Sequence, residues 1–237
     1  MPPVDDRRSA VPIDKHQLLR SHPFFSDFSP AIMERLVSRA VVRKVKKGTV
    51  LFRKADVGSS LYAVCSGTIR ISVPSPHGKE AILNIFTARE IFGEIALLDG
   101  GVRTADAVAT EDSELLVIDR RDFIPLVREN PDLALRLIEL VCGRLRRTSD
   151  QVEDAVFLDL PRRLAKVLLE MHSRASGEQA QTISITQRDL SQMVGASRES
   201  ANKTLREWER KGWLKLRHRS VTILQPKALA GLISGPT

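Results

Sequence analysis

The chain has 237 residues, 42% of them hydrophobic and 28% charged, with a formal net charge of +8, which suits one large domain or two ordinary ones. No run of apolar residues approaches the ~18 of a membrane span, and the opening MPPVDDRRSAVPIDKHQ lacks the continuous apolar core of a secretory signal. Two cysteines cannot build a disulfide framework, so a cytoplasmic, reduced protein is expected. The charge is unevenly placed: Leu160–Thr237 carries 14 Lys and Arg against 6 Asp and Glu, the whole positive excess. A basic small domain beside a neutral larger one points to a polyanion met by the C-terminal part, the alternative being a solvated basic surface.

Taken in chain order, residues 1–15 read as a polar flexible arm. Residues 16–40 carry helical patterning, with Leu18 and Leu19 and then Pro30 near a helix start ahead of Ile32, Leu36 and Val37. From Val41 to Asp119 short apolar runs (VVRKV, TVLF, LYAVCS, TIRISV, AILNIF, ADAVA, ELLVID) are punctuated by Gly48, Gly58, Gly67, Gly78 and Gly100. Strands at this spacing predict a small β-barrel or jelly roll, with the domain spanning 16–130.

A long helix is predicted over 131–158. Ala134, Ile138, Val141, Leu145, Thr148, Val152 and Ala155 step alternately by four and three, a heptad seam of the two-stranded coiled-coil kind, with charged residues off the seam. It predicts a homodimer, the alternative being a helix packed on its own domain. Thr148 is the polar member of the seam. Its hydroxyl either back-bonds to its own helix or faces a polar ligand.

Residues 159–237 hold the most specific local pattern. Thr186 can cap a helix beginning TQRDLSQMV, with Asp189 completing a capping-box variant. Gly195 supplies a turn, and Ser197 caps a second helix whose inner stripe is Ala201, Leu205 and Trp208. Two helices across a tight glycine turn form a helix-turn-helix. Thr186 and Gln187 open the first helix; Arg198, Glu199, Asn202 and Lys203 lie outward on the second, all able to bond base edges or phosphates. Arg206, Arg210, Lys211, Lys215, Arg217 and Arg219 add cationic charge, and KGWLKLRHRSVTIL reads as two strands forming a wing. The alternative is a protein-binding helical pair.

FGEIALLDGGVRTA (Phe92–Ala105) has a phosphate-binding logic. Gly93 permits close backbone approach, and Glu94-Ile95-Ala96-Leu97 offer N–H groups at a short helix start. Arg103 can take a phosphodiester by a charge-assisted pair, Thr104 adds a hydroxyl, and Glu94 suits a sugar hydroxyl. Together these describe a cyclic nucleotide; a surface turn with a Glu–Arg pair is the alternative.

The order of β-roll, long helix, helix-turn-helix and wing over about residues 16–225 resembles the Crp/Fnr transcription regulators, and FGEIALLDGGVRTA, RLRRTSDQVEDAVFLD and SRESANK are similar to the cyclic-AMP receptor branch. The resemblance implies an α+β fold: a cyclic-nucleotide-binding β-roll, a coiled-coil dimerisation helix and a C-terminal winged helix-turn-helix. It further implies Glu94 on the ribose 2′-hydroxyl, Arg103 and Thr104 on the cyclic phosphate, and Gly93, Ile95 and Ala96 shaping the wall. Thr148 would meet the adenine amino group, with Ser149 reaching the base bound by the other subunit. Ser197, Arg198 and Glu199 would open the recognition helix. Lys203 and Asn202 depart from the branch, which has Arg and Gly there, so operator preference stays open. Cys65, Cys142 and the turn residue His77 lack metal-ligand or haem spacing.

The expected function is a homodimeric transcription regulator that binds a palindromic operator and RNA polymerase, switched by cyclic AMP or cyclic GMP as an allosteric ligand rather than a catalytic cofactor. The alternative is the same architecture sensing another small molecule, or none. No Walker loop, HExxH or clustered metal ligand set is present, and an enzyme is not expected.

Overall fold

The computed structural model describes residues 15–21, 23–26, 28–75, 80–174 and 182–234, arranged as two compact units. The first takes in the chain up to Ile71 with Ile85–Leu137; the second takes in Ser72–Asn84 and the chain from Ile138 onward. The predicted arm, apart from Lys15, and the turn bearing His77 lie outside the described residues.

Two helices open the first unit, α1 (Lys15–Ser21) and α2 (Pro30–Arg39). Ser29 caps α2 by accepting from Ile32 N–H, and Pro30 sits in the first turn, where its missing N–H costs nothing. Lys15 belongs to α1 rather than to an arm, its ammonium donating to Ala40 O at 2.7 Å. The strands follow as β1 (Val41–Val45), β2 (Val50–Phe52), β3 (Ser60–Ser66), β4 (Ile69–Pro74), β5 (Glu80–Phe86) and β6 (Ile91–Phe92). Next come α3 (Glu94–Asp99), β7 (Asp106–Ala109), β8 (Ser113–Asp119) and two helices, α4 (Arg120–Glu129) and α5 (Pro131–Phe157).

The strands form two four-stranded sheets, ordered β1-β8-β3-β6 and β2-β7-β4-β5. In the first, β8 lies antiparallel between β1 and β3, with Val41 opposite Val117 and Ser60 opposite Asp119. The inner faces of both sheets share one core of Val45, Tyr62, Val64, Ile69, Phe86, Phe92, Ala107, Ala109 and Leu115. Aromatic rings run through it as a column: Phe86 stacks on Phe92 at 5.6 Å, Phe92 on Tyr62 at 5.0 Å, and Tyr62 meets Phe52 at 5.7 Å. Two packed sheets make this the jelly-roll alternative of the glycine-punctuated runs, and the β-roll that the family resemblance implies. Helix α4 is an element the sequence reading did not identify; Asp119 caps it, and its Phe123 and Leu126 are buried.

In the second unit, α6 (Leu160–Arg174) follows α5 after two residues, with Asp159 Oδ1 accepting from Arg162 N–H at 3.0 Å. Lys166 pairs with Asp154 at 2.7 Å across this elbow. Then come β9 (Thr182–Ser184), α7 (Gln187–Met193), α8 (Arg198–Arg210), β10 (Leu214–Arg217), β11 (Ser220–Ile223) and α9 (Pro226–Ser234). The expected two-stranded wing is a three-stranded sheet, β10-β11-β9. β9 alternates exposed Thr182, buried Ile183 and exposed Ser184, a three-residue signal too short to stand out. Helix α9, also unforeseen, packs on α6 and buries Leu229. Trp208 and Trp213 lie 6.3 Å apart at the end of α8. Among the described residues no helix is long and apolar enough to cross a membrane.

Candidate functional site

Arg103 is the centre of the first site. It lies in the loop before β7 and is only 4% exposed, an unusual place for a guanidinium that forms no salt bridge among the described residues. The backbone fixes its position from both sides: Ala55 N–H donates to Arg103 O and Arg103 N–H to Asp56 O, both at 2.8 Å. The side chain turns inward. Nη1 donates to Gly93 O and Nη2 to Ser60 O, each at 2.9 Å, and the guanidinium carbon sits 4.2 Å over the Phe52 ring. Its Nε–H is buried with no hydrogen-bond partner. A buried orphan donor of a charged group costs free energy, on the order of 1–3 kcal/mol or more, until an acceptor arrives.

Two glycines make room for this arrangement. A Cβ on Gly58 would collide with Ala96 Cβ and lie 2.9 Å from Arg103 Nε; on Gly93, whose φ is +86°, it would lie 2.7 Å from Arg103 Nη1. Burial lowers the proton affinity of Arg103, and Tyr62, Glu94 and Asp56 act in the opposite direction. Glu94 is itself 2% exposed. Of the other predicted pocket residues, Ala96 is buried against the Gly58 loop, while Ile95 (44% exposed) and Thr104 face outward. Helix α3 has six residues, too few for a substantial macrodipole, so the guanidinium is the stronger source of positive potential here. Arg120 Nε donates to Leu97 O at 2.8 Å, which steadies the far end of α3.

The seam residues take their own pattern. Leu133 and Leu137 of α5 are buried, whereas Ile138 (58%), Leu145 (65%) and Val152 (60%) are widely exposed. Val141, Thr148 and Ala155 are exposed with them, and Ala134 is half-buried. Thr148 and Ser149 each donate back to the carbonyl four residues earlier, at 3.0 Å, which is the back-bonded alternative.

In the second unit the caps form as the sequence predicts. Thr186 Oγ1 accepts from Asp189 N–H at 3.0 Å, Ser197 Oγ accepts from Ser200 N–H at 3.1 Å, and Gly195 turns at φ +66°. Helix α8 buries Ala201, Leu205 and Trp208. A concavity of about 530 Å³ runs between α7, α8 and the β10–β11 turn, and Thr186, Gln187, Arg198, Arg206, Arg217 and Arg219 line it. Arg188, Glu209 and His218, absent from the predicted set, line it too. Glu209 Oε1 accepts from Leu216 N–H at 2.8 Å and so ties β10 to α8. Ser197, Glu199 and Lys203 are exposed, whereas Asn202 is half-buried with Oδ1 enclosed, less outward than its spacing suggests. Cationic walls around a helix N-terminus and a hairpin tip suit a phosphate backbone.

Elsewhere, Cys65 is half-buried, and burial pushes its thiol up to about 11. Among the described residues no group of three His, Cys, Asp or Glu could hold a metal ion.

Comparison with known proteins matches the cyclic nucleotide-binding domain to residues 42–130 and the Crp-like helix-turn-helix domain to residues 162–232. The chain is 30% identical over 218 residues to the CRP-like cAMP-activated global transcriptional regulator of Mycobacterium tuberculosis, covering 90% of this chain and 97% of that one. It is also 30% identical over 217 residues to the cyclic AMP receptor protein of Thermus thermophilus, covering 92% and 99%. The solved structure of FixK2 from Bradyrhizobium japonicum superposes with a TM-score of 0.76 at 19% identity, over 84% of this chain and 99% of that one, a likeness of fold.

Proposed function

The chain belongs to the Crp/Fnr family of cyclic-nucleotide-responsive, DNA-binding transcription regulators, and from that premise we propose that it is a homodimeric switch whose effector is cyclic AMP and whose target is a palindromic operator. The carrying observation is the buried Arg103 guanidinium with an unused Nε–H. A monoanionic phosphodiester supplies the missing acceptor and the missing charge together. In this reading Thr104 adds a hydroxyl bond to the phosphate, Glu94 takes a ribose hydroxyl, and Gly93, Ile95 and Ala96 frame the ring. Thr148 releases its helix carbonyl for the adenine amino group, and Ser149 of the partner subunit reaches the same base.

The exposed stripe Ile138, Val141, Leu145 and Val152 supports dimerisation in this reading. A row of apolar side chains at heptad spacing gains from water exclusion when a second such row packs on it. Ligand binding then biases the packing of the paired α5 helices, and the α5–α6 elbow at Phe157–Pro161 passes that bias to the reading heads. On a palindrome the two α8 helices enter successive major grooves about 34 Å apart. Arg198, Glu199 and Lys203 read base edges, and Arg206, Arg217 and Arg219 hold phosphate. RNA polymerase is the expected further partner, and the cytoplasm the expected compartment.

The test is operator affinity, on DNA selected from a random pool, with and without cyclic AMP or cyclic GMP. Tighter binding with cyclic AMP is expected. By linkage, cognate DNA should tighten cyclic AMP binding by the same factor. Equal operator affinities with and without nucleotide would reject the switch.

A further inference from the structure

We propose that Phe52 is a positioning residue for the anion grip, its ring holding the Arg103 guanidinium flat so that the free N–H edge is presented to the incoming phosphodiester. The proposal rests on reading the roll as a cyclic-nucleotide pocket. It deepens that reading by naming a residue that touches Arg103 rather than the ligand.

Three observations carry it. First, the guanidinium carbon lies 4.2 Å from the Phe52 centroid and 5.6 Å from that of Tyr62. A cation over a ring face is attracted by the ring quadrupole, and more strongly where water is excluded. Contact through the flat face leaves every in-plane N–H of the guanidinium available. Gly93 O and Ser60 O engage one nitrogen each, and the buried Nε–H remains open. Second, Phe52 is held in place by neighbours rather than free to drift. It meets Tyr62 at 5.7 Å and Phe92 at 6.1 Å, at the end of the aromatic column. Third, the β2–β7 register shifts between Val50 and Phe52. A bulge re-aims the side chain that follows it, so the backbone departs from regular pairing at the residue that stacks on Arg103.

Apolar packing alone would be met by leucine or methionine at this site, so the ring itself can be tested. Calorimetric titration of the full chain with cyclic AMP is run for the wild type, Phe52→Leu, Phe52→Met, Phe52→Tyr and Phe52→Trp, with ligand-free melting temperatures in parallel. Loss of the ring should weaken binding about three- to tenfold, and Phe52→Tyr should stay within about twofold of the wild type. In an Arg103→Lys background, whose compact ammonium lacks the planar face, Phe52→Leu should cost little more. A purely structural role would instead make affinity follow melting temperature in all four variants, whatever they carry at this position. If Phe52→Leu or Phe52→Met binds as the wild type does, or if Phe52→Tyr is as weak as they are, the role of Phe52 is overturned while the pocket stands. If the wild type does not bind cyclic AMP, the pocket reading fails and the proposal falls with it.

Discussion

The roll and the reading head solve opposite problems with the same residue type. In the roll, Arg103 is 4% exposed and immobilised by two carbonyls and a ring before any ligand arrives. In the head, Arg198, Arg206, Arg217 and Arg219 stand exposed around a broad concavity. What is fixed there is the backbone, by the Thr186 and Ser197 caps and the Glu209–Leu216 tie. A buried arginine suits one small anion, because desolvation strengthens a single well-aimed contact. Exposed arginines suit a long polyanion, whose phosphates are met in series and released as salt rises.

That contrast can be broken in order of expected effect. Arg103→Ala removes a buried charged partner and should weaken cyclic AMP binding by about a hundredfold, read by calorimetry. A loss of only a few fold would mean that the roll, like the head, spreads its grip over many groups. Glu199→Ala should relax base choice by roughly tenfold at one operator position, measured by competition between variant sites. Arg217→Ala should weaken binding on every sequence by a few fold and lower the slope of log affinity against log salt by about 1. Thr186→Ala should cost about 1 kcal/mol of stability in thermal melts, with Thr186→Ser restoring it, because the cap hydroxyl satisfies the Asp189 N–H.

The smallest effect concerns Cys65. Its thiol is raised to about 11 in the folded chain against 9.0 when free, so the folded state keeps its proton across that interval while the unfolded state loses it. Stability from this group is therefore full below about pH 9 and declines as pH rises toward 11. Iodoacetamide at pH 9 should label unfolded protein much faster than native protein at this position.

These two regions also differ in how far they could be read from the sequence. The helix-turn-helix was legible because its signals are local: Thr186 with Asp189, Gly195, and Ser197 all act within a few residues. The loop around Arg103 was half legible. Arg103, Glu94 and Gly93 stand in one short run, but Gly58, Ser60, Phe52 and Tyr62, which place the guanidinium, approach it from about 40 to 50 positions away. Nothing within the run from Phe92 to Ala105 indicates that a ring and the Ser60 carbonyl, both from elsewhere, will help hold it. Helix α9 is illegible for a related reason, since PKALAGLIS gains its buried face by packing on α6. Asn202 is less outward than its spacing suggests because the outward stripe of a helix shades gradually into its inner one, and half-burial there is decided by neighbours.

Trp208 and Trp213 are the chain's only tryptophans, and both sit in the reading head, whereas its single tyrosine, Tyr62, lies in the roll beside Arg103. The reading head thus carries its own optical reporter. Indole emission, excited at the red edge of the band where the phenol does not absorb, follows events at the recognition helix with no label needed. Recorded after rapid mixing with a nucleotide, it gives the time course of the head's response.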